Sequence, residues 1–297
     1  MTKKIMAVTG ATGHVGEAIV QRLKAAGHEV REIARSLGTL IEAVPKVTRD
    51  FTGADAAFLM LPPDPKALDP RKRANEFGVC LAEAVKASGV KRVVFLSSIN
   101  AHLKEGTGPI LGLRDMEERL DGLGIPQLVH LRPSYFMENH FQAVGFIARQ
   151  GYYGSPLMSD TVIPMIAAAD VGEVAARIMA EEPFNQPRVR ELLGSEDFTM
   201  SKAARVLGAA IGKPDLKYKQ LPYEAARKAM LDFRFSPGHA DAMIELYRHF
   251  NASLIRGTEV RKPQNTTSTT LEQFAKTRFH SVYDIAEMAV GTARIGV

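Results

Sequence analysis

Thr9-Gly10-Ala11-Thr12-Gly13-His14-Val15-Gly16 is the stretch whose reading decides the fold. It follows Ile5-Met6-Ala7-Val8, an apolar run that reads as a buried parallel strand. It precedes Glu17-Ala18-Ile19-Val20-Gln21-Arg22-Leu23, whose apolar residues recur at helical spacing. A strand, a glycine-rich turn and a helix in that order form the phosphate cradle of a dinucleotide site. Gly10 lets the chain turn sharply off the strand. Gly13 lets backbone amides approach a pyrophosphate with no Cβ in the way, and Gly16 allows close helix packing. The amides that open the helix, aided by its dipole, then hold the anion. Gly10, Thr12, Gly13, His14, Val15 and Gly16 are therefore the candidate phosphate-binding residues.

Strand and helix patterns alternate outward from this point. Residues 28–34 read as a second strand and 37–44 as a short helix. A third strand over 56–61 is stopped by Pro62-Pro63, and a helix over 73–88 ends at Gly89. A strand over 91–96 precedes Ser97-Ser98. A helix through 113–120 leads to the strand 127–131, stopped by Pro133. This alternation predicts a doubly wound parallel sheet, an α/β fold of Rossmann type. The second half reads as a smaller, mostly helical lobe. Its helices are expected at 170–182 (with Asp170 as N-cap), 199–211, 222–233, 238–250 and 271–278; a short strand is expected at 189–193 and a loop at 261–270. The expected division is a dinucleotide-binding domain over 1–150, with late strand contributions from 160–195, and a helical substrate or partner lobe over 151–297. One connection is odd. Only four residues separate Arg49-Asp50-Phe51 from the strand at Ala56, whereas a parallel crossover takes about ten or more. Either Val47 to Phe51 is no sheet strand, or the crossover is reduced to a bare loop.

Composition narrows the function classes. The 297 residues carry a net charge of +5 with 45% apolar residues, ordinary for a globular chain with a sizeable core. Short basic clusters such as Arg71-Lys72-Arg73 form no stripe with interleaved aromatics, so nucleic-acid binding is not expected. No run is long and apolar enough for a membrane span, and Met1-Thr2-Lys3-Lys4 leads directly into the first strand, so neither a membrane role nor a signal peptide is expected. Cys80 is the single cysteine, consistent with a reducing, cytoplasmic setting. The eight histidines are scattered without metal-ligand spacing, so no metal site is expected.

The second strand distinguishes the two dinucleotides. An NAD site ends that strand in an acid that binds both ribose hydroxyls; an NADP site replaces the acid with arginine. Here the strand ends Ile33-Ala34-Arg35-Ser36. Arg35 takes the deciding position, with a planar fork suited to a 2′-phosphate. Arg31 is a candidate helper, and alternation with Ile33 points Glu32 away from the cleft. The expected cofactor is NADP(H).

The turn at Val8 to Gly16 resembles those of extended and atypical short-chain dehydrogenase/reductases, and further segments make the chain similar to the NmrA-like family among them. These are His28 to Arg35, Phe58-Leu59-Met60-Leu61-Pro62-Pro63, Gly89 to Ser98 and Leu131-Arg132-Pro133-Ser134-Tyr135-Phe136-Met137-Glu138-Asn139. Asp170 to Ala176 and Thr270 to Ala275 extend the match into the second lobe. The resemblance implies a Rossmann domain, a small helical lobe and a preference for NADP(H). It also implies a range of activities: quinone reductases, a dye reductase, and redox sensors that bind the cofactor without turning it over. By the same analogy Leu61 and Pro62 line the adenosine side, and Ser97 and Ser98 sit near the nicotinamide ribose. Pro133, Ser134 and Phe136 flank the nicotinamide; Ser134, Met137 and Asn139 border the substrate.

The proton-relay dyad of standard short-chain dehydrogenases, Tyr-x-x-x-Lys, is absent. The stretch Gly108 to Glu117 has no tyrosine, and Ile110 and Arg114 stand where the pair would fall. Arg114 either binds the ribose in place of lysine or is a solvated helical residue. Tyr135 is the candidate acid, and His140 a lesser one. Tyr152, Tyr153 and Met158 read either as pocket walls or as core. Hydride transfer from NADPH to a quinone or similar conjugated acceptor needs no dedicated dyad, which suits a reductase acting on a small molecule. The same loss suits a catalytically silent NADP(H) sensor that acts through a protein partner. A second copy of the chain is also a candidate partner. An epimerase or lyase of nucleotide sugars fits less well, because that chemistry relies on the missing pair.

Overall fold

A computed structural model of the chain describes residues 2–33, 40–180, 187–252 and 257–295. The first half builds β1 (Ile5–Thr9), α1 (His14–Ala25), β2 (Glu29–Ile33), α2 (Leu40–Phe51), β3 (Ala56–Leu59), α3 (Pro70–Ser88), β4 (Arg92–Leu96), α4 (Ile110–Asp121) and β5 (Gln127–Pro133). There follow β6 (Tyr135–Phe136), a 3₁₀ turn (Met137–Ala143), α5 (Val144–Gln150), β7 (Tyr152–Ser155), β8 (Val162–Ile166), α6 (Ala168–Ala180) and β9 (Val189–Leu192). The chain ends with β10 (Asp197–Thr199), α7 (Met200–Ala210), β11 (Lys217–Gln220), α8 (Tyr223–Asp232), α9 (Pro237–Asn251), α10 (Leu271–Phe274) and α11 (His280–Ile295).

The central sheet is six-stranded, in the order β2-β1-β3-β4-β5-β9, and every pair is parallel. Its middle strands are buried on both faces, as a parallel sheet covered by helices requires. Alternate residues serve the two faces. Met6, Val8, Val94 and Val129 join Ile19 of α1 and Ala175 of α6. Ala7, Val93, Phe95 and Leu128 join Phe51 of α2, Leu81 of α3 and Met116 of α4. The expected doubly wound α/β sheet is thus present. Strand order reverses between β1 and β3, and a crevice opens at their carboxyl ends.

The odd connection resolves in favour of the first alternative. Val47 to Phe51 belongs to no strand; it is the last turn of α2, a true crossover helix with Phe51 buried on the sheet. The expected helix at 37–44 is therefore displaced: residues 37–39 lie outside the described residues, and the helix runs through Pro45 to Phe51. Arg31 closes its end by donating to the carbonyls of Asp50 (3.0 Å) and Thr52 (2.7 Å). This occupation removes Arg31 as a helper toward a phosphate. Glu32 pairs with Lys24 at 2.5 Å.

The second half is less purely helical than expected. It adds a three-stranded sheet, β10-β8-β6, and a parallel pair, β11-β7. A third core joins them, containing Met137, Tyr153, Phe198, Leu207, Phe274 and Phe279. Asp170 is not the N-cap of α6, because that helix starts two residues earlier. Its carboxylate instead accepts from Thr269 N (3.1 Å) and Thr269 Oγ1 (2.6 Å), while Glu138 accepts from Ala168 N (3.1 Å) at the helix start. The tail continues α10 through a π-helical turn (Ala275–Phe279) into α11, which buries Tyr283.

Candidate functional site

The glycine turn is held tightly. Gly10 has φ +65°, donates its amide to Ile33 O (3.0 Å), and leaves no room for a Cβ, which would lie 2.7 Å from Met60 Sδ. A Cβ on Gly16 would collide with the carbonyl oxygen of Gly10. Gly13 is the N-cap of α1, and no side chain caps the helix start. Glu17 N donates to Gly13 O (2.8 Å), so the preceding first-turn amides, those of His14, Val15 and Gly16, are the helix's unsatisfied donors. Thr9 braces the turn, donating to Phe58 O (3.1 Å) and accepting from Met60 N (2.9 Å). The His14 ring stands edge-on to Phe141, centroids 5.9 Å apart, and so links the turn to the second lobe.

Backbone bonds align the carboxyl ends of the sheet: Ser97 N to Leu131 O (2.8 Å), Ile99 N to Pro133 O (3.1 Å) and Ser134 N to Leu192 O (2.9 Å). Beyond these ends lies a cleft of about 240 Å³, with Met60, Leu61, Ser97, Ser98, Ser134, Tyr135, Phe136 and Asn139 in its wall. Ser97 and Ser134 are each 4% exposed, and neither Oγ has a hydrogen-bond partner among the described residues. Among the described residues, no Asp, Glu, Lys, Arg or His lines this cleft.

The cleft thus gathers Leu61, Ser97, Ser98, Ser134, Tyr135, Phe136 and Asn139. Pro62 is half-buried just beyond its wall, and Pro133 contributes a buried backbone carbonyl. Met137 is fully buried in the lobe core, away from the cleft. Arg114 is on α4 next to the cleft residue Leu113, but its guanidinium donates to His102 O (3.1 Å) and pairs with Glu118. Arg35 lies outside the described residues. His140 is fully buried, its Nδ1 2.5 Å from Tyr153 Oη and its Nε2 3.3 Å from Met165 Sδ; burial lowers its pKa to about 3, which makes it a poor proton donor near neutrality. Tyr153 is core, Met158 is partly exposed, and Tyr152 tilts against Phe146; none of the three lines the cleft. Burial pushes the Tyr135 phenol well above its usual range, and the nearby Tyr247 adds to the effect.

Sequence reading missed the roof. Met243, Leu246, Tyr247 and Phe250 of α9 close the cleft from above. The signal was present in their i, i+3, i+4, i+7 spacing, which marks one face of a helix but not what that face covers. The helix is pinned at both ends. Ser236 caps it, donates its amide to Pro65 O (2.8 Å) and its hydroxyl to Ala67 O. Asn251 accepts from Met158 N (2.7 Å) and donates to Pro156 O (2.9 Å) and Tyr223 Oη (2.8 Å).

One family model, that of the NmrA-like family, matches residues 44–275, a span that holds most of the cleft wall and its helical roof and begins after the glycine turn. The chain belongs to the NmrA-like family. It is 29% identical over 265 residues to the uncharacterized oxidoreductase YesF of Bacillus subtilis, covering 86% of this chain and 84% of that protein. It is 28% identical over 252 residues to the (4-alkanoyl-5-oxo-2,5-dihydrofuran-3-yl)methyl phosphate reductase of Streptomyces griseus, covering 80% and 84%. Among solved structures, an NADPH-dependent quinone oxidoreductase of Escherichia coli, complexed with NADPH, superposes with a TM-score of 0.71 at 21% identity, over 92% of this chain and 99% of that one. NmrA, a negative transcriptional regulator in complex with NADP, gives 0.70 at 17% identity, over 98% of both chains. These likenesses establish the shared fold. Among the described residues no helix is long and apolar enough to cross a membrane, and no group of three or more His, Cys, Asp or Glu could hold a metal ion.

Proposed function

We propose that this NmrA-like chain is an NADP(H)-dependent reductase that acts on a neutral, conjugated, apolar acceptor such as a quinone. The observation that carries the reading is the pair of buried, unpartnered hydroxyls on Ser97 and Ser134, two residues in the wall of a cleft with no charged side chain among the described residues, beside a turn that admits no Cβ at Gly10 or Gly16. Those features fit the cofactor. Amides at the start of α1 would hold the pyrophosphate, and the two serines would meet the ribose and nicotinamide end. The nicotinamide, when bound, supplies a hydride. The protein's share is to position the acceptor and exclude water, the task for which apolar walls and a pinned roof are suited. Arg35, from its place after β2, is the proposed 2′-phosphate partner. The Streptomyces relative is named for a phosphorylated substrate; among the described residues the cleft offers no cation to a phosphate, which supports a neutral acceptor.

Absorbance-monitored NADPH oxidation with a panel of quinones and conjugated dyes tests the proposal. Protein-dependent turnover is expected. Absence of turnover across the panel, on protein shown to bind NADPH, would replace the reductase by a cofactor-binding sensor.

A further inference from the structure

Two phenols, those of Tyr135 and Tyr247, face the uncharged cleft from opposite structural elements. Tyr135 rises from the short strand β6 in the wall, and Tyr247 descends from α9 in the roof. Neither phenol hydrogen-bonds to another described residue, whereas Tyr153, Tyr218 and Tyr283 all do. A phenol in an apolar lobe without a protein partner leaves a donor unused, and such a donor costs free energy unless water or a ligand meets it. Its neighbours in the roof are Met243, Leu246 and Phe250, all apolar, so Tyr247 is the polar side chain that α9 presents to the cleft.

We propose that Tyr247, together with Tyr135, donates hydrogen bonds to the carbonyl oxygen of a neutral conjugated acceptor and thereby sets its orientation in the cleft. This rests on the reductase reading of the same cleft and names the donor which the absent Tyr-x-x-x-Lys pair does not supply. The position of Tyr247 is fixed because α9 is tied down at Ser236 and at Asn251. Burial raises the Tyr247 pKa to about 12, so the phenol stays a neutral donor across the physiological range. Among the described residues no charge in the wall competes for the acceptor oxygen, and apolar side chains on both sides favour a flat, uncharged ring system.

The test is binding, measured by calorimetry on the full chain saturated with NADP⁺, so that no turnover occurs. The probes are 2-methyl-1,4-naphthoquinone and its carbonyl-free counterpart 2-methylnaphthalene. Tyr247→Phe is expected to weaken naphthoquinone binding by about tenfold and hydrocarbon binding by less than about twofold, since only the former loses a hydrogen bond. Tyr135→Phe should show the same selective loss, which keeps the test open if one variant fails to fold. Equal losses for both probes, no loss for either, or wild-type protein that binds neither probe would overturn the proposal. Failure of the two readings is separable. Wild-type reduction of the quinone with no selective loss in the variants sinks the phenol pair alone. Selective loss in the variants without any wild-type reduction sinks the reductase alone.

Discussion

Gly16 and Gly10 are in contact across the start of α1: a Cβ on the former would occupy the space of the latter's carbonyl oxygen. At Gly13 the Cβ would stand 3.4 Å from the same oxygen, an ordinary contact, and the backbone there is extended. The two glycines therefore separate folding from binding. Gly16→Ala should cost about 2 kcal/mol in denaturant unfolding and weaken NADPH binding more than tenfold, because overpacking shifts the backbone that forms the cradle. Gly13→Ala should leave stability within about 0.5 kcal/mol and still weaken NADPH, because its methyl points where the phosphates approach. Wild-type NADPH affinity in Gly13→Ala would show that the turn is structural only.

In sequence, Arg35 comes two residues after β2, the border strand beside β1. Replacing it with alanine should weaken NADPH far more than NADH, by a factor of about ten to a hundred, as expected for loss of a charge-assisted bond to phosphate. Parallel titrations of the two cofactors give the ratio; equal losses exclude a 2′-phosphate role.

Asn251 holds the last turn of α9 through four hydrogen bonds, to Met158 N, Thr161 Oγ1, Pro156 O and Tyr223 Oη. Asn251→Ala should destabilise the protein by about 2 kcal/mol, since it removes the partner of the Met158 amide and leaves the Pro156 carbonyl only the long bond from Gln220 Nε2 (3.5 Å). Its steady-state signature should be a raised KM for the acceptor with NADPH affinity unchanged, because the roof covers the acceptor end of the cleft. An unchanged KM would mean that α9 keeps its place without this anchor.

His140 is held neutral in the lobe core, with a pKa lowered from 6.5 to about 3 by burial alone. The sign is that of a depressed group. Its contribution to stability is complete above the unfolded pKa and is lost as pH falls from about 6.5 toward about 3, at up to about 1.4 kcal/mol per pH unit. Tm measured at pH 7, 6 and 5 should fall in the wild type and fall less in His140→Gln. Identical slopes would assign the acid sensitivity to other groups.

Much of this was legible from residue order alone. The glycine turn, the sheet alternation and the serine-bearing strand ends carry local signatures, because burial on both faces of a parallel strand forces continuous apolar runs. The site residues near those strand ends, Ser97, Ser134 and Phe136 among them, came from the family resemblance and not from the strand pattern; the structure places all three in the cleft wall. What escaped depends on long-range packing. β6 has two residues and no period to detect. Asp170 resembled an N-cap but serves Thr269, 99 residues away. Met137 stands within a motif that otherwise reaches the cleft, yet it turns into the core. Tyr247 belonged to a recognisable helix, but nothing in a heptad-like spacing says that the helix will roof a cleft formed 110 residues earlier.

The crossover through α2, which carries the chain from β2 past β1 to β3, also determines how the sheet ends. With no strand beyond it, β2 is the border of the described sheet, and one side of its backbone is unpaired by any neighbour. Such a margin invites a strand from another molecule. Here it carries Glu29, Arg31 and Glu32, tied by ion pairs to Lys3 and Lys24 and to one another. An incoming strand would have to strip water from this charged hem, so the chain does without the extra strand and still presents an edge that resists aggregation.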